Sequence, residues 1–398
     1  MPNSRPSLIL LSVICALSPF GVTVIVPILP ILDRSFDVSL QSLQFGVSAY
    51  VLGLAAMQPI SGYLADTLGR RRVLLSGFLV FIGASICLAL ASEFWLIIVL
   101  RFVQAAGVSV GTVVARAVAR DVLDEKQVLR AFSAISAAMG VSPIFAPIVG
   151  GWMGEALGYQ GVFLITAAVG LAIWVWAWLK IPETRPTSYV LSDPVSPVES
   201  YRRLLFSAGF LGYTGVYGFL QCTFFSFLGV GAVAFSDLFG MSESRFGTIW
   251  GLMALTYLLG AFCVNGLVER VGLYRAMHGL SLFLFFSGWM GLALQLWLGL
   301  SVFSLLLQLA LLMTAAGAMT PTALAGVVNL FPEVSGTAAG LSSSIGLMLA
   351  GLSSMLGGLL YSLGGYYWLS VLIAGCGTLA AVSWFFAYLG QLSAENSS

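Results

Sequence analysis

The sequence predicts an all-α polytopic membrane protein, with twelve transmembrane helices in two pseudo-symmetric six-helix bundles. Three observations predict it. Of 398 residues, 59% are hydrophobic and 8% charged, against about 25% charged in a soluble domain, and the mean hydropathy is +1.00. Twelve apolar runs reach the length of about 20 residues that a helix needs to cross a bilayer. A charged turn after the second run, "GYLADTLGRRR" at 62 to 72, has an echo after the eighth, "NGLVERVGLYR" at 265 to 275.

The runs fall at 7–32, 43–65, 73–92, 95–118, 131–155, 162–180, 204–234, 246–268, 276–298, 301–330, 336–361 and 366–390. The first exceeds the about 7 to 15 residue apolar core of a signal peptide and lacks a small-residue cleavage site, so it is expected to stay as span 1. Between spans 6 and 7 lies "IPETRPTSYVLSDPVSPVESYRR", whose four prolines and hydroxyl residues mark a surface linker. The expected division is an N-terminal bundle at 1–180, a cytoplasmic linker at 181–203 and a C-terminal bundle at 204–398.

Orientation follows from Lys and Arg, which are retained on the cytoplasmic side. With both termini cytoplasmic, Arg5, Arg70, Arg71, Arg72, Arg120, Lys126, Arg130, Lys180, Arg185, Arg202, Arg203, Arg270 and Arg275 lie inside, and only Arg34 and Arg245 face outward. The expected location is the cytoplasmic (inner) membrane.

Composition also excludes. The five cysteines are scattered singly through apolar runs, which suggests neither a disulfide framework nor a thiolate metal site. One histidine, and no HExxH, GxSxG or P-loop, leave metal hydrolysis, a serine triad and ATP-driven pumping without their parts. No cofactor, metal or catalytic residue is expected, and a net charge of +1 gives no reason to expect nucleic acid.

In the charged turn, Gly62 and Gly69 let the chain reverse without a side-chain penalty. Asp66 can accept backbone N–H bonds at a helix start, and the arginines can bind carboxylates or helix carbonyl ends. Positive-inside anchoring would explain the arginines, but neither Asp66 nor the match of Leu64, Asp66 and Gly69 with Leu267, Glu269 and Gly272. A parallel repeat would explain both.

The turn resembles the cytoplasmic loop motif of the major facilitator superfamily. "RFVQAAG" at 101 to 107 is similar to that superfamily's Arg-x-x-Gln-Gly motif, with Ala105 in place of the glycine. "GVSPIFAPIVGG" at 140 to 151 resembles the Pro- and Gly-rich antiporter motif, and "PET" closes span 6 at 182 to 184. Together with "VVARAVARDV" at 113 to 122, these look most like the Bcr/CflA type of drug-resistance transporter. The resemblance implies a latch of Asp66, Arg70 and Asp121 bridging spans 2, 3 and 4, with Glu269 as its degenerate copy. It also implies that spans 1, 4, 7 and 10 line a substrate cavity.

Residues expected at substrate or coupling are Arg101, Gln104, Thr23, Tyr217 and Gln221. Arg101 stands out, because a charge inside a span marks a functional site by default; snorkelling to the surface is its alternative. Single threonines and glutamines in spans 7 and 10, among them Thr223, Gln308, Thr314, Thr320 and Thr322, read first as helix-packing hydrogen bonds. Pro143 and Pro147, with Gly150 and Gly151, are expected to make a hinge in span 5. Bcr/CflA-like proteins place an Asp four residues before a span 1 proline, where this chain has Thr23 before Pro27, and no Asp or Glu lies in the middle of any span. The expected function is therefore export of small drug-like, amphipathic or anionic molecules by alternating access, proton-coupled by resemblance. An uptake permease or uncoupled facilitator is the alternative within transport, and a non-transporting receptor or scaffold the alternative outside it. One chain supplies both bundles, so a monomer is expected, with substrate, protons and the lipid bilayer as partners.

Overall fold

A computed structural model describes residues 7–123, 125–184, 197–331 and 335–395. Their regular structure is helical throughout. Span 1 is α1 (Leu8–Thr23), a 3₁₀ turn (Val26–Ile28) and α2 (Leu29–Phe36). Pro19 lies inside α1 and Pro27 within the 3₁₀ turn. There follow α3 (Leu40–Leu68), α4 (Arg70–Ala89), α5 (Phe94–Val122) and α6 (Glu125–Lys180). A short α7 (Pro197–Leu205) leads into α8 (Ala208–Phe239), α9 (Glu243–Val271), α10 (Leu273–Leu298), α11 (Val302–Leu330) and α12 (Ser335–Glu395).

Ten helical segments among the described residues are long and apolar enough to cross a membrane. Two of these hold two crossings each. A straight 56-residue helix such as α6 would run about 84 Å at 1.5 Å per residue, far beyond a hydrocarbon layer of about 30 Å. It breaks instead at Gly158 (φ 67°, ψ −174°), and α12 breaks at Gly364 and Gly365 (φ 66°, ψ −158° at the second). Counted this way the crossings number twelve, and the breaks fall between the apolar runs that the sequence separates.

The chain forms two compact units. Unit 1 holds the described residues up to 184 together with Gly240–Gly251; unit 2 holds those from 197 to Phe239 and from Leu252 onward. The first turns of α9 thus pack with unit 1. Most of the 181–203 linker lies outside the described residues.

The repeat is written in the backbone as well as in the sequence. Gly69 precedes α4 with φ 100° and ψ 145°, and Gly272 precedes α10 with φ 85° and ψ 155°. Both are values that a residue with a Cβ rarely adopts.

Candidate functional site

The charged turn of unit 1 is a network with two carboxylates. Arg70, whose side chain is 9% exposed, gives its Nε–H to Asp121 Oδ2 at 3.2 Å, and Thr184 donates its hydroxyl to the same oxygen at 3.0 Å. Glu183 accepts the backbone N–H of Arg70 at 2.9 Å and that of Arg71 at 3.3 Å. A carboxylate thus sits on the unsatisfied N–H groups of the first turn of α4, where the helix dipole also favours negative charge. Arg71 donates to the Trp178 carbonyl at 2.8 Å, which ties the end of span 6 to the start of span 3. The Cβ of an alanine at Gly69 would lie 2.6 Å from Glu183 Oε2 and would push that carboxylate off the helix start, while the torsion itself favours glycine.

The structure brings together Gly69, Arg70 and Asp121 of the expected latch. Gly62 lies inside α3, not at the turn, with only Val113 near its absent Cβ, at 3.8 Å. The backbone of Asp66 is in the last turns of α3; its side chain lies outside the described part. Among the described residues, no such network forms at the second copy of the turn. Glu269 is exposed and has no ion pair among the described residues, and nothing lies within 4 Å of a Cβ added at Gly272. Sequence reasoning quoted "PET" as a span ending and missed Glu183 as a helix cap, although an acid just beyond a span was its visible signal.

Arg101 is 1% exposed. One terminal nitrogen donates to the Gly21 carbonyl at 2.9 Å and to Gln104 Oε1 at 2.6 Å, and the guanidinium lies 4.0 Å from the Tyr50 ring centroid. Gln104 donates in turn to Ser85 Oγ at 2.7 Å, and Tyr50 to the Ser18 carbonyl at 3.2 Å. Spans 1, 2, 3 and 4 therefore meet around one charge. Among the described residues its Nε and Nη2 have no hydrogen-bond partner, and its burial encloses the head rather than delivering it to a surface, against the snorkelling alternative. The fold permits this because α4 and α5 approach backbone to backbone, with a Cβ at Gly107 falling 2.6 Å from the Gly77 carbonyl. Tyr50 and Ser85 carry no sequence signal linking them to Arg101, since only the helix packing brings them there.

Thr23 does not join this group. It is 2% exposed and its hydroxyl donates back to the Pro19 carbonyl one turn earlier in α1, at 2.9 Å. Nor is there a helix break at Pro143 or Pro147: α6 keeps helical torsions through both, and its one non-helical residue is Gly158. Gly150 and Gly151 serve as contact points instead, a Cβ on them meeting the carbonyls of Val24 and Glu243 respectively. Near this end of unit 1 Arg34 pairs with Glu243, and Glu155 accepts the Ser244 N–H at 3.0 Å.

In unit 2, Tyr217 is 9% exposed against Gly346, whose Cβ would meet its ring at 2.4 Å. Gln221, one turn further along α8, is half-buried. Thr223, Thr314 and Thr322 bond to carbonyls of their own helices, Leu220, Ala310 and Ala318. Gln308 donates to the Gly288 carbonyl at 3.0 Å and accepts from Gln295 at 2.8 Å, while Ser370 donates to Gln295 Oε1 at 2.7 Å. Both glutamines and the serine are 0% exposed. Early in span 10, where span 4 carries a charge, this unit closes a neutral amide network.

Twelve helical crossings in two units, with a glycine-led charged turn repeated after the second crossing of each half, are the architecture of a membrane transporter. The chain belongs to the Major Facilitator Superfamily, whose model it matches over residues 11–230. It is 24% identical to the bicyclomycin resistance protein homolog of Haemophilus influenzae, over 84% of each chain. To the multidrug resistance protein D of Escherichia coli it is 25% identical, over 89% of this chain and 87% of that one. The fold also matches the crystal structure of a bacterial homolog to the human lysosomal transporter Spinster, inward-facing and occupied, with a TM-score of 0.76 over 96% of each chain at 16% identity.

Proposed function

We propose that the protein exports small amphipathic or anionic drug-like molecules across the cytoplasmic membrane by alternating access. The names of its bicyclomycin- and multidrug-resistance relatives and the span 5 motif support the direction and the substrate class. The observation that carries the mechanism is the Arg70–Asp121–Glu183 relay, the latch of this reading, with both termini on its cytoplasmic side. Its bonds are charge-assisted and partly screened from water, each worth about 1.5 to 3 kcal/mol. That is enough to bias one conformation and small enough to be released by substrate binding. Arg101, Gln104, Tyr217 and Gln221 are the substrate or coupling residues of this reading, with the bundles at 1–180 and 204–398 acting as one monomeric carrier.

Proton coupling enters this reading from the family resemblance alone, since no Asp or Glu lies in the middle of any span. An uncoupled facilitator or uptake permease is the second reading, and Thr23 favours it: the position holds no titrating group and its hydroxyl is spent on Pro19. Accumulation of antibiotics, dyes and organic anions in cells lacking their own pumps separates the two, with the proton gradient intact and then collapsed. An Arg101→Ala variant is the inactive control. Exclusion of compounds only while the gradient stands supports coupled export. Accumulation above the control, or indifference to the gradient, overturns it.

A further inference from the structure

We propose that Arg101 binds a compact monovalent anion inside unit 1, the chemistry that a free chloride and the carboxylate of a small organic acid share. The inference takes Arg101 as the reading above does, as a functional residue, and names its ligand by charge and shape. One terminal nitrogen, Nη1, is already shared by the Gly21 carbonyl and Gln104 Oε1. The Tyr50 ring lies 4.0 Å from the guanidinium carbon, while the Tyr50 hydroxyl is turned away to the Ser18 carbonyl. Ser85 accepts from Gln104 and donates to the Phe81 carbonyl at 2.7 Å. Every polar side chain of the cluster thus has a partner. The two nitrogens without one among the described residues, Nε and Nη2, are neighbours on one edge of the guanidinium. Their N–H groups run side by side, a fork that takes both oxygens of a carboxylate or one halide between them.

Charge and space set the class of ligand. Arg101 is 1% exposed and makes no ion pair among the described residues, whereas a charge inside a membrane protein is as a rule paired. No Asp or Glu lies in the middle of any span, so the spans bring no acid of their own to this depth. Water would fill the two bonds but leave the charge, which is costly in a dry interior. A single negative charge on the fork meets both needs. A divalent anion such as sulfate would reverse the net charge instead of cancelling it. The enclosure by the Tyr50 ring, Gly21 and Gln104 excludes bulk, so a larger organic anion can offer this site only its carboxylate.

The test uses the full chain, purified in neutral detergent with sulfate as the only anion and titrated with sodium chloride or sodium acetate at fixed ionic strength. A ligand that binds the folded state stabilises it by mass action, so the melting temperature of the wild type is expected to climb saturably with added monoanion. A rise with chloride alone assigns the fork to a free halide, a rise with acetate alone to a carboxylate, and competition between the two to both; each supports the site. Arg101→Met should lose the rise, and Arg101→Lys, charged but without a fork, should need at least tenfold more anion. Equal shifts in wild type and Arg101→Met, or no shift with either salt, would overturn the proposal. Binding is read on the purified protein, so a carrier that exports without binding the anion is told apart from one that binds it without exporting.

Discussion

The guanidinium of Arg101 lies 4.0 Å from the ring centroid of Tyr50, and its hydrogen-bond partners among the described residues are the Gly21 carbonyl and the Gln104 amide, neither of them acidic. A positive charge in the interior of unit 1 is held by a ring face, a carbonyl and an amide.

Lysine cannot reproduce that planar, branched contact. Losing one charge-assisted bond at about 1.5 to 3 kcal/mol should lower transport by Arg101→Lys tenfold or more. Arg101→Met removes a buried charge with two unpartnered donors, a change often neutral or stabilising for the fold. It is expected to purify with an unchanged or higher melting temperature and to transport nothing. Full transport by the Met variant would reduce Arg101 to a packing residue.

The two copies of the turn should respond differently to one substitution. Gly272→Ala faces open space and bears only the torsional cost of a backbone region that glycine alone enters freely, about 1 to 3 kcal/mol. Gly69→Ala bears the same cost and also drives a methyl group into the Glu183 carboxylate. Thermal melting should therefore rank the loss at position 69 above that at 272. Equal losses would show that Glu183 does not hold the turn.

Glu183→Gln keeps one acceptor oxygen but loses the charge at the start of α4, so it should cost about 1 to 2 kcal/mol of stability and slow transport several-fold. Asp121→Asn weakens the Arg70 bond directly and should slow it more. For Asp66→Asn, the expectation from the motif is abolished transport with membrane insertion intact, read from vesicle uptake beside a blot of the membrane fraction. Full activity in that variant sinks the latch.

Gln295 and Gln308 offer a double-mutant cycle. Gln308→Leu strands the Gln295 amide in a dry interior, a penalty of about 1 to 3 kcal/mol. Replacing both glutamines by leucine should cost less than the sum of the two single changes. Additive losses measured by thermal unfolding would mean that the two amides do not act as one unit.

The sequence by itself determined the solvent, the number of crossings, the repeat and the family, because each rests on local quantities. Apolar run length answers to bilayer thickness, and left-handed turns answer to glycine at 69 and 272. It also marked Arg101 and Gln104, since a charge or amide inside a span is conspicuous without any structure. Only the tertiary structure decided what those groups meet. Tyr50, Ser85 and Glu183 join their partners across helix contacts, so nothing in their own neighbourhoods announces them. The same packing set Thr23 apart from the Arg101 group and kept α6 helical through Pro143 and Pro147. Run length and composition are properties of a segment, whereas a site is fixed by which faces the segments turn toward one another.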